Sequence, residues 1–243
     1  MDEGGKPGHG SLFGLSLLTC PDPDALAEAL KGARKRQQAF GPVGFNARTE
    51  LHFNEAQEIP YHLAQSWLSE WHAAGGKAVV LVADDSKGAL KKEFGGSFEA
   101  HYALAGYLIA QAAQAHPDTK LFVFADDLDT PRAAPFGVSV QQRANEYADR
   151  EICVGVVKLR SMANDLLQLA DIFVGSVLFQ ARMGETVPPV KSLAWSKHRI
   201  SKIVANQVDV PLLGCANNEH LRVIAYQPGD APRTYAKTRM RTK

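Results

Sequence analysis

The stretch that decides the fold runs from KAVVLVADD (77–85) through FEAHYALAGYLIAQAAQAH (98–116) to KLFVFADD (120–127). Two apolar runs of strand length, rich in β-branched and aromatic residues, enclose a segment of helical length and period. Strands that alternate with helices favour parallel neighbours, so the expected class is α/β. The echo between VLVADD (80–85) and FVFADD (122–127) is what two parallel strands ending at one sheet edge would give.

Upstream, SLFGLSLLT (11–19) reads as a strand, and GGKPGHG (4–10) before it as a wide hairpin loop. Asp2 and Glu3 then end a preceding strand, which only Met1 begins. A central strand needs about five residues, so the natural reading frame is expected to start upstream of Met1. DPDALAEALKGARKRQQAF (22–40) reads as a capped helix, TELHF (49–53) as a short strand, and EIPYHLAQSWLSEWHAAGG (58–76) as a helix with Pro60 in its first turn. Lys87, Lys91 and Lys92 fall in a loop. Downstream, 138–150 reads as a helix, EICVGVVKL (151–159) as a strand, 165–182 as an apolar helix, SKHRISKIVANQ (196–207) as a short helix and LRVIAYQP (221–228) as a last strand.

A chain of 243 residues with no long linker fits one domain over 1–243, of which 184–243 reads as a basic C-terminal extension. The net charge of +1 conceals an asymmetry: residues 1–181 hold 16 Lys and Arg against 22 Asp and Glu, whereas 182–243 hold 11 against 4. Such a tail, PRTYAKTRMRTK (232–243), with Lys197, Arg199 and Lys202 upstream, would follow a phosphate backbone or simply aid solubility. The apolar runs are far short of a membrane span and MDEGGKPGHG (1–10) is no secretory signal, so a cytoplasmic protein is expected. Cys20, Cys153 and Cys215 are odd in number and widely spaced, which suits reduced thiols.

LLQLADIFVG (166–175) sets Asp171 among apolar neighbours. An unpaired buried carboxylate costs several kcal/mol or becomes protonated, so something must reward it. Asn164, Gln168, Asp171 and Gly175 follow one another at helical spacing and form a polar line up one face, with Gly175 leaving room above the carboxylate. Asp171 is then either held by an Arg or by backbone amides, or is a ligand reaching from a helix that packs on the sheet. Asp2, Glu50 and Asp126, each at or near a strand end, are its candidate partners. Carboxylates gathered at one sheet edge repel one another unless a divalent cation neutralises them, and oxygen-only ligands suit Mg2+ or Mn2+.

MDEGG (1–5), TELHF (49–53), LFVFADD (121–127) and SMANDLLQLADIFVG (161–175) resemble, in order and rough spacing, the motifs of the domain-of-unknown-function 3800 family. The resemblance covers nearly the whole chain from Asp2 to about Arg182. It implies a ribonuclease H-like (retroviral-integrase-like) mixed β-sheet flanked by helices, in bacterial and phage proteins. It further implies acids that bind Mg2+ or Mn2+ for nuclease chemistry on nucleic acid, with Asp2, Glu50, Asp126 and Asp171 as catalytic residues and Asp2, Asp126 and Asp171 holding the metal. Gly4 stands where that family has Ser. In such a sheet the second acid sits on the strand beside the first; Asp126 fits by motif, Asp84 is the alternative, and Asp127 competes with Asp126.

Glu3, Gln168 and His52 are supporting candidates, His52 lying two residues beyond Glu50 and so on the same side of an extended segment. The spacing of His52, His62 and His72 does not suggest zinc, and Trp67 and Trp71, one helical turn apart, read as core. No phosphate-cradling Gly-rich motif occurs. Asp127 and Asp129 faintly resemble a D-x-D-x-T phosphatase loop, which keeps a small-molecule phosphatase open beside a non-catalytic nucleic-acid-binding or protein-interaction module.

Overall fold

The computed structural model describes residues 1–4, 12–40, 50–55, 61–114, 117–127, 135–161, 164–190, 192–212 and 217–227. Among the described residues six strands, β1 (Asp2–Gly4), β2 (Leu12–Thr19), β3 (Lys77–Asp84), β4 (Leu121–Asp126), β5 (Cys153–Leu159) and β6 (Leu221–Tyr226), lie between two helical layers. The helices are α1 (Pro23–Phe40), α2 (Tyr61–Ala73), α3 (Ala89–Phe94), α4 (Ser97–Ala113), α5 (Phe136–Ala148), α6 (Asp165–Met183) and α7 (Leu193–Val208). The result is a mixed α/β sheet flanked by helices.

Strand pairing gives a ladder β1-β2-β3-β6 and a second pair β4-β5. Met1 joins them. Its amino group donates to the Phe124 carbonyl (2.7 Å) and its own carbonyl accepts from the Asp126 N–H (3.2 Å). One residue reaching positions two apart on its neighbour is the parallel pattern, so β1 lies beside β4 with Met1 opposite Ala125. Across the molecule the order is β5-β4-β1-β2-β3-β6, and among the described strands β2 alone runs against the rest.

The period-two alternation of each strand divides two cores. Phe13, Leu15, Leu17, Leu81, Ala83, Val123 and Ala125 pack on one side against α4 and α5. On the other side α6 crosses the sheet, backed by α1, α2 and α7. Gly4 and Gly14 let α6 approach closely: a Cβ on Gly4 would lie 2.4 Å from Leu178 Cδ1, and one on Gly14 2.9 Å from Val174 Cγ2. The Ser of the resembled family would therefore require Leu178 to turn away. Asn164 caps α6 by accepting from the Leu166 and Leu167 N–H groups, and Gly184, in the left-handed region (φ 59°), follows its last residue. This helix is long and apolar enough to cross a membrane by composition, yet it is the core helix, 67% buried.

Several expectations change. Residues 50–52 carry no strand pairing among the described residues, and Phe53–Glu55 form a 3-10 turn. The Lys-bearing loop contains α3, capped by Gly88 and Gly95 with positive φ. β3 and β4 are not neighbours; β3 is parallel to β6, and β4 lies between β1 and β5, parallel to both. Within the region read as a basic extension, the described residues include α7, which packs on α2 and α6, and β6, which completes the ladder. Residues 5–10 of the expected hairpin loop, Ser11, Pro60, Cys215 and the tail beyond 227 lie outside the described residues. Trp67 and Trp71 are fully buried, with the Trp67 indole donating to Leu30 O.

Candidate functional site

The site is assembled on α6. Its polar line, read from the sequence as one face, is the track on which residues 50–53 are seated. Gln168 Oε1 accepts the Leu51 N–H (2.8 Å), and Asp171 Oδ2 accepts the Phe53 N–H (2.6 Å). Above them the Phe53 ring fills the space over Gly175, where an added Cβ would sit 2.3 Å from Phe53 Cγ. The room expected above Asp171 is thus occupied. Helix side chains, not a neighbouring strand, thus satisfy the N–H donors of Leu51 and Phe53.

Arg34 secures the start of the track. This buried guanidinium on α1 donates to Asp165 Oδ1 (2.7 Å) and Gln168 Oε1 (2.9 Å) and lies over the Trp67 ring. Gln168 also donates to Ser161 O (2.9 Å), so all its polar atoms are engaged between α1, residue 51 and the turn after β5.

Seating residues 50–53 brings Glu50 and His52 to the sheet edge. His52 Nε2 lies 3.2 Å from Glu50 Oε1, and its Nδ1 lies 3.5 Å from Asp171 Oδ2. Ser161 closes the ring: its hydroxyl donates to Glu50 Oε1 and its N–H to Asp126 Oδ1 (3.0 Å). Sequence reasoning missed Ser161, although its place just past β5, beside the end of β4, was the available signal. It also missed Arg34, which falls at helical spacing from buried Leu26 and Leu30.

Asp2 and Asp126 stand abreast. Met1 opposes Ala125, so the next residues of these parallel strands are neighbours on the same face. That face is the one under α6, because Ser16, paired with Asp2, donates to Ala170 O (2.8 Å). Asp2 is buried, and burial, then the charges of Asp171 and Asp126, push its carboxyl up to about 8. Burial lowers the Met1 amino group to about 6 against the pull of Asp2 and Asp126.

Other candidates fall elsewhere. Glu3 points through the opposite face, 2.9 Å from His101 Nδ1 on α4. Asp84 is exposed beyond the level of Asp2, opposite Leu12 and bonded to the Ser86 N–H. Asp127 pairs with Lys158 (2.9 Å), and Asp129 lies outside the described residues. Lys197 reaches the site, bonding Asn54 (3.2 Å) over the Phe53 ring; burial lowers its ammonium pKa against the attraction of Asp171. Arg199 instead lies over Tyr61, and Lys202 is exposed near His198.

Asp2, Asp126 and Asp171 are oxygen donors of the kind Mg2+ and Mn2+ take. Among the described residues, however, no group of three or more His, Cys, Asp or Glu side chains stands close enough to hold an ion as it is. Asp2 senses the charges of Asp171 and Asp126, and all three carboxylates accept backbone N–H groups: Asp2 from Glu3 (2.6 Å), Asp126 from Asp127 (2.9 Å) and Ser161 (3.0 Å), and Asp171 from Phe53 (2.6 Å). No family model, curated protein or solved structure matches the chain.

Proposed function

We propose that the chain is a ribonuclease H-like, metal-dependent nuclease of the kind its resemblance to the domain-of-unknown-function 3800 family implies. One observation carries the reading: Asp2, buried on the face under α6, stands beside Asp126 on the neighbouring strand, and burial with the charges of Asp171 and Asp126 raises its carboxyl to about 8. Such mutual repulsion is an unfavourable arrangement for a purely structural cluster, and a divalent cation relieves it. An acid on the strand beside the first is also what that fold requires, and Asp126 meets the requirement where Asp84 does not.

Asp2, Asp126 and Asp171 would hold the ion, drawing together as it neutralises them, with Glu50 the fourth acid. Bound Mg2+ or Mn2+ would activate a water and neutralise charge at the phosphodiester. His52, between Glu50 and Asp171, is placed to hold or pass a proton at Nε2. Ser161 orients Glu50, and Lys197 offers a cation to an incoming phosphate. Arg199 and Lys202 extend positive charge along α7 for a nucleic acid.

The test is cleavage of single- and double-stranded DNA and RNA with Mn2+ or Mg2+, expected with the native chain and lost in Asp126→Asn and Asp171→Asn. A second reading is favoured by the Phe53 N–H that Asp171 already accepts, which gives this acid a structural use. Nucleic-acid binding that persists without metal and without cleavage would favour that non-catalytic module. Small-phosphoester turnover lost only in Asp127→Asn would favour the phosphatase.

A further inference from the structure

Phe122 and Phe124 project from the same face of β4 as Asp126, because side chains alternate along a strand and Val123 and Ala125 are the ones buried against α4 and α5. Although β4 lies inside the sheet, the two rings are 54% and 47% exposed. Val157, paired with Phe124 and so on the same face, is also exposed. A contiguous open group of large apolar side chains, unlike a single one, asks for a ligand.

The geometry around the rings favours a nucleic acid strand. Gly155 lies opposite Phe122, and a Cβ there would stand 2.7 Å from Phe122 Cε2 and 3.1 Å from Cδ2, so the glycine lets this ring rest against β5. The Phe124 ring stands edge to face beside it, 5.4 Å between centroids, and the two do not stack on each other. Same-face residues of a strand are about 6.6 Å apart, a step that an unstacked single strand matches and the roughly 3.4 Å step of stacked duplex bases does not. The row ends at Asp126, which accepts the Ser161 N–H (3.0 Å). Arg160, the residue before Ser161, is exposed, and Lys197 reaches the site from α7, so cations flank the end where phosphates meet the acids. A second copy pairing through β5 is disfavoured by its bulge: Leu121 pairs with Cys153 but Phe122 with Gly155, which leaves Val154 as an extra residue in that edge.

We propose that Phe122 and Phe124 stack two consecutive bases of a single-stranded nucleic acid and lead its next phosphate to Asp126, which makes the substrate class single-stranded rather than duplex. Every base has a π-face, so the platform holds a strand with little regard to sequence. A duplex keeps its bases inside and would bring phosphates against two phenylalanines, which offer them no hydrogen bond and no charge. The path towards Asp126 rests on the nuclease reading above; the stacking itself does not.

The test is fluorescence anisotropy of the full chain, without metal, on a labelled DNA oligonucleotide of about 12 nucleotides, alone and annealed to its complement. The single strand should bind at least about tenfold more tightly than the duplex. Phe122→Leu and Phe124→Leu, which keep apolar bulk but remove the ring, should each weaken single-strand binding by roughly tenfold, while Phe122→Tyr and Phe124→Tyr keep it. Equal affinity for both forms, absence of binding, or leucine variants that bind as the native chain does would overturn the proposal. So would a concentration-dependent dimer that the leucine variants lose, without oligonucleotide binding, since a second copy would then cover the rings. The two readings fail separately. Ring-dependent binding with no cleavage on adding Mn2+ sets aside the nuclease and upholds the platform, whereas cleavage lost in Asp171→Asn but unchanged in both leucine variants does the reverse.

Discussion

Gly175→Ala tests whether residues 50–53 are seated on α6, the contact that brings Glu50 and His52 to the sheet edge. In an isolated helix the substitution stabilises by up to about 1 kcal/mol. Here the new Cβ would lie 2.3, 2.5 and 2.6 Å from Phe53 Cγ, Cδ1 and Cβ, and those atoms cannot yield without moving the main chain that Asp171 holds by 2.6 Å. Overpacking of this kind costs about 1–3 kcal/mol, so the net change is a destabilisation of about 1–2 kcal/mol, or a fall of roughly 2–8 °C in melting temperature for a chain of this size. Phe53→Ala alone costs about 3–4 kcal/mol through lost burial. In that background the contacts with Cγ and Cδ1 are gone and only Cβ, at 2.6 Å, still has to give, so Gly175→Ala costs less than in the native chain and a double-mutant cycle by urea unfolding should show a coupling of about 0.5–2 kcal/mol. Additive effects, with Gly175→Ala stabilising both backgrounds, would show that Phe53 does not occupy that space.

The pH dependence of stability should carry the signature of Asp2. Its carboxyl is raised from 3.8 to about 8 on folding, so the folded state holds the proton more tightly, and its contribution, full below about pH 4, is lost as pH rises through about 8. Metal-free Asp2→Asn should therefore gain on the native chain by at most about 3 kcal/mol between pH 5 and 7.5; parallel stability curves would contradict this. Arg34→Ala should cost about 3 kcal/mol in denaturant unfolding, because it leaves Asp165 and Gln168 without their cation. Asp127→Asn should change stability by less than about 1 kcal/mol and leave nucleic-acid cleavage intact, since it breaks only an ion pair with Lys158 at the surface; a loss of turnover would move the chemistry to that side of β4.

The α/β class was legible because alternation at period two and period 3.6 survives in single elements such as 77–85 and 98–116. The polar line on α6 was legible for the same reason. What that line binds was not, since Leu51 and Phe53 show the alternating burial of a strand whether a strand or a helix side chain satisfies their N–H groups. Gly175 reads as space in a sequence, and only the path of residues 50–53 fills it with Phe53. Neighbouring strands were the least legible: the pairing of β1 with β4 depends on the two hydrogen bonds of Met1, and that pairing sets Asp126 rather than Asp84 beside Asp2.

The central claim is that Asp2, Asp126 and Asp171 form a site for a divalent cation. Titration calorimetry with Mn2+ at pH 7, repeated in buffers of different ionisation enthalpy, tests it most directly. Because Asp2 is protonated below about 8, Mn2+ should bind with release of about one proton, more tightly as pH rises, and binding should vanish in Asp171→Asn. Absence of binding at millimolar Mn2+, or binding without proton release that Asp171→Asn leaves unchanged, would contradict the claim.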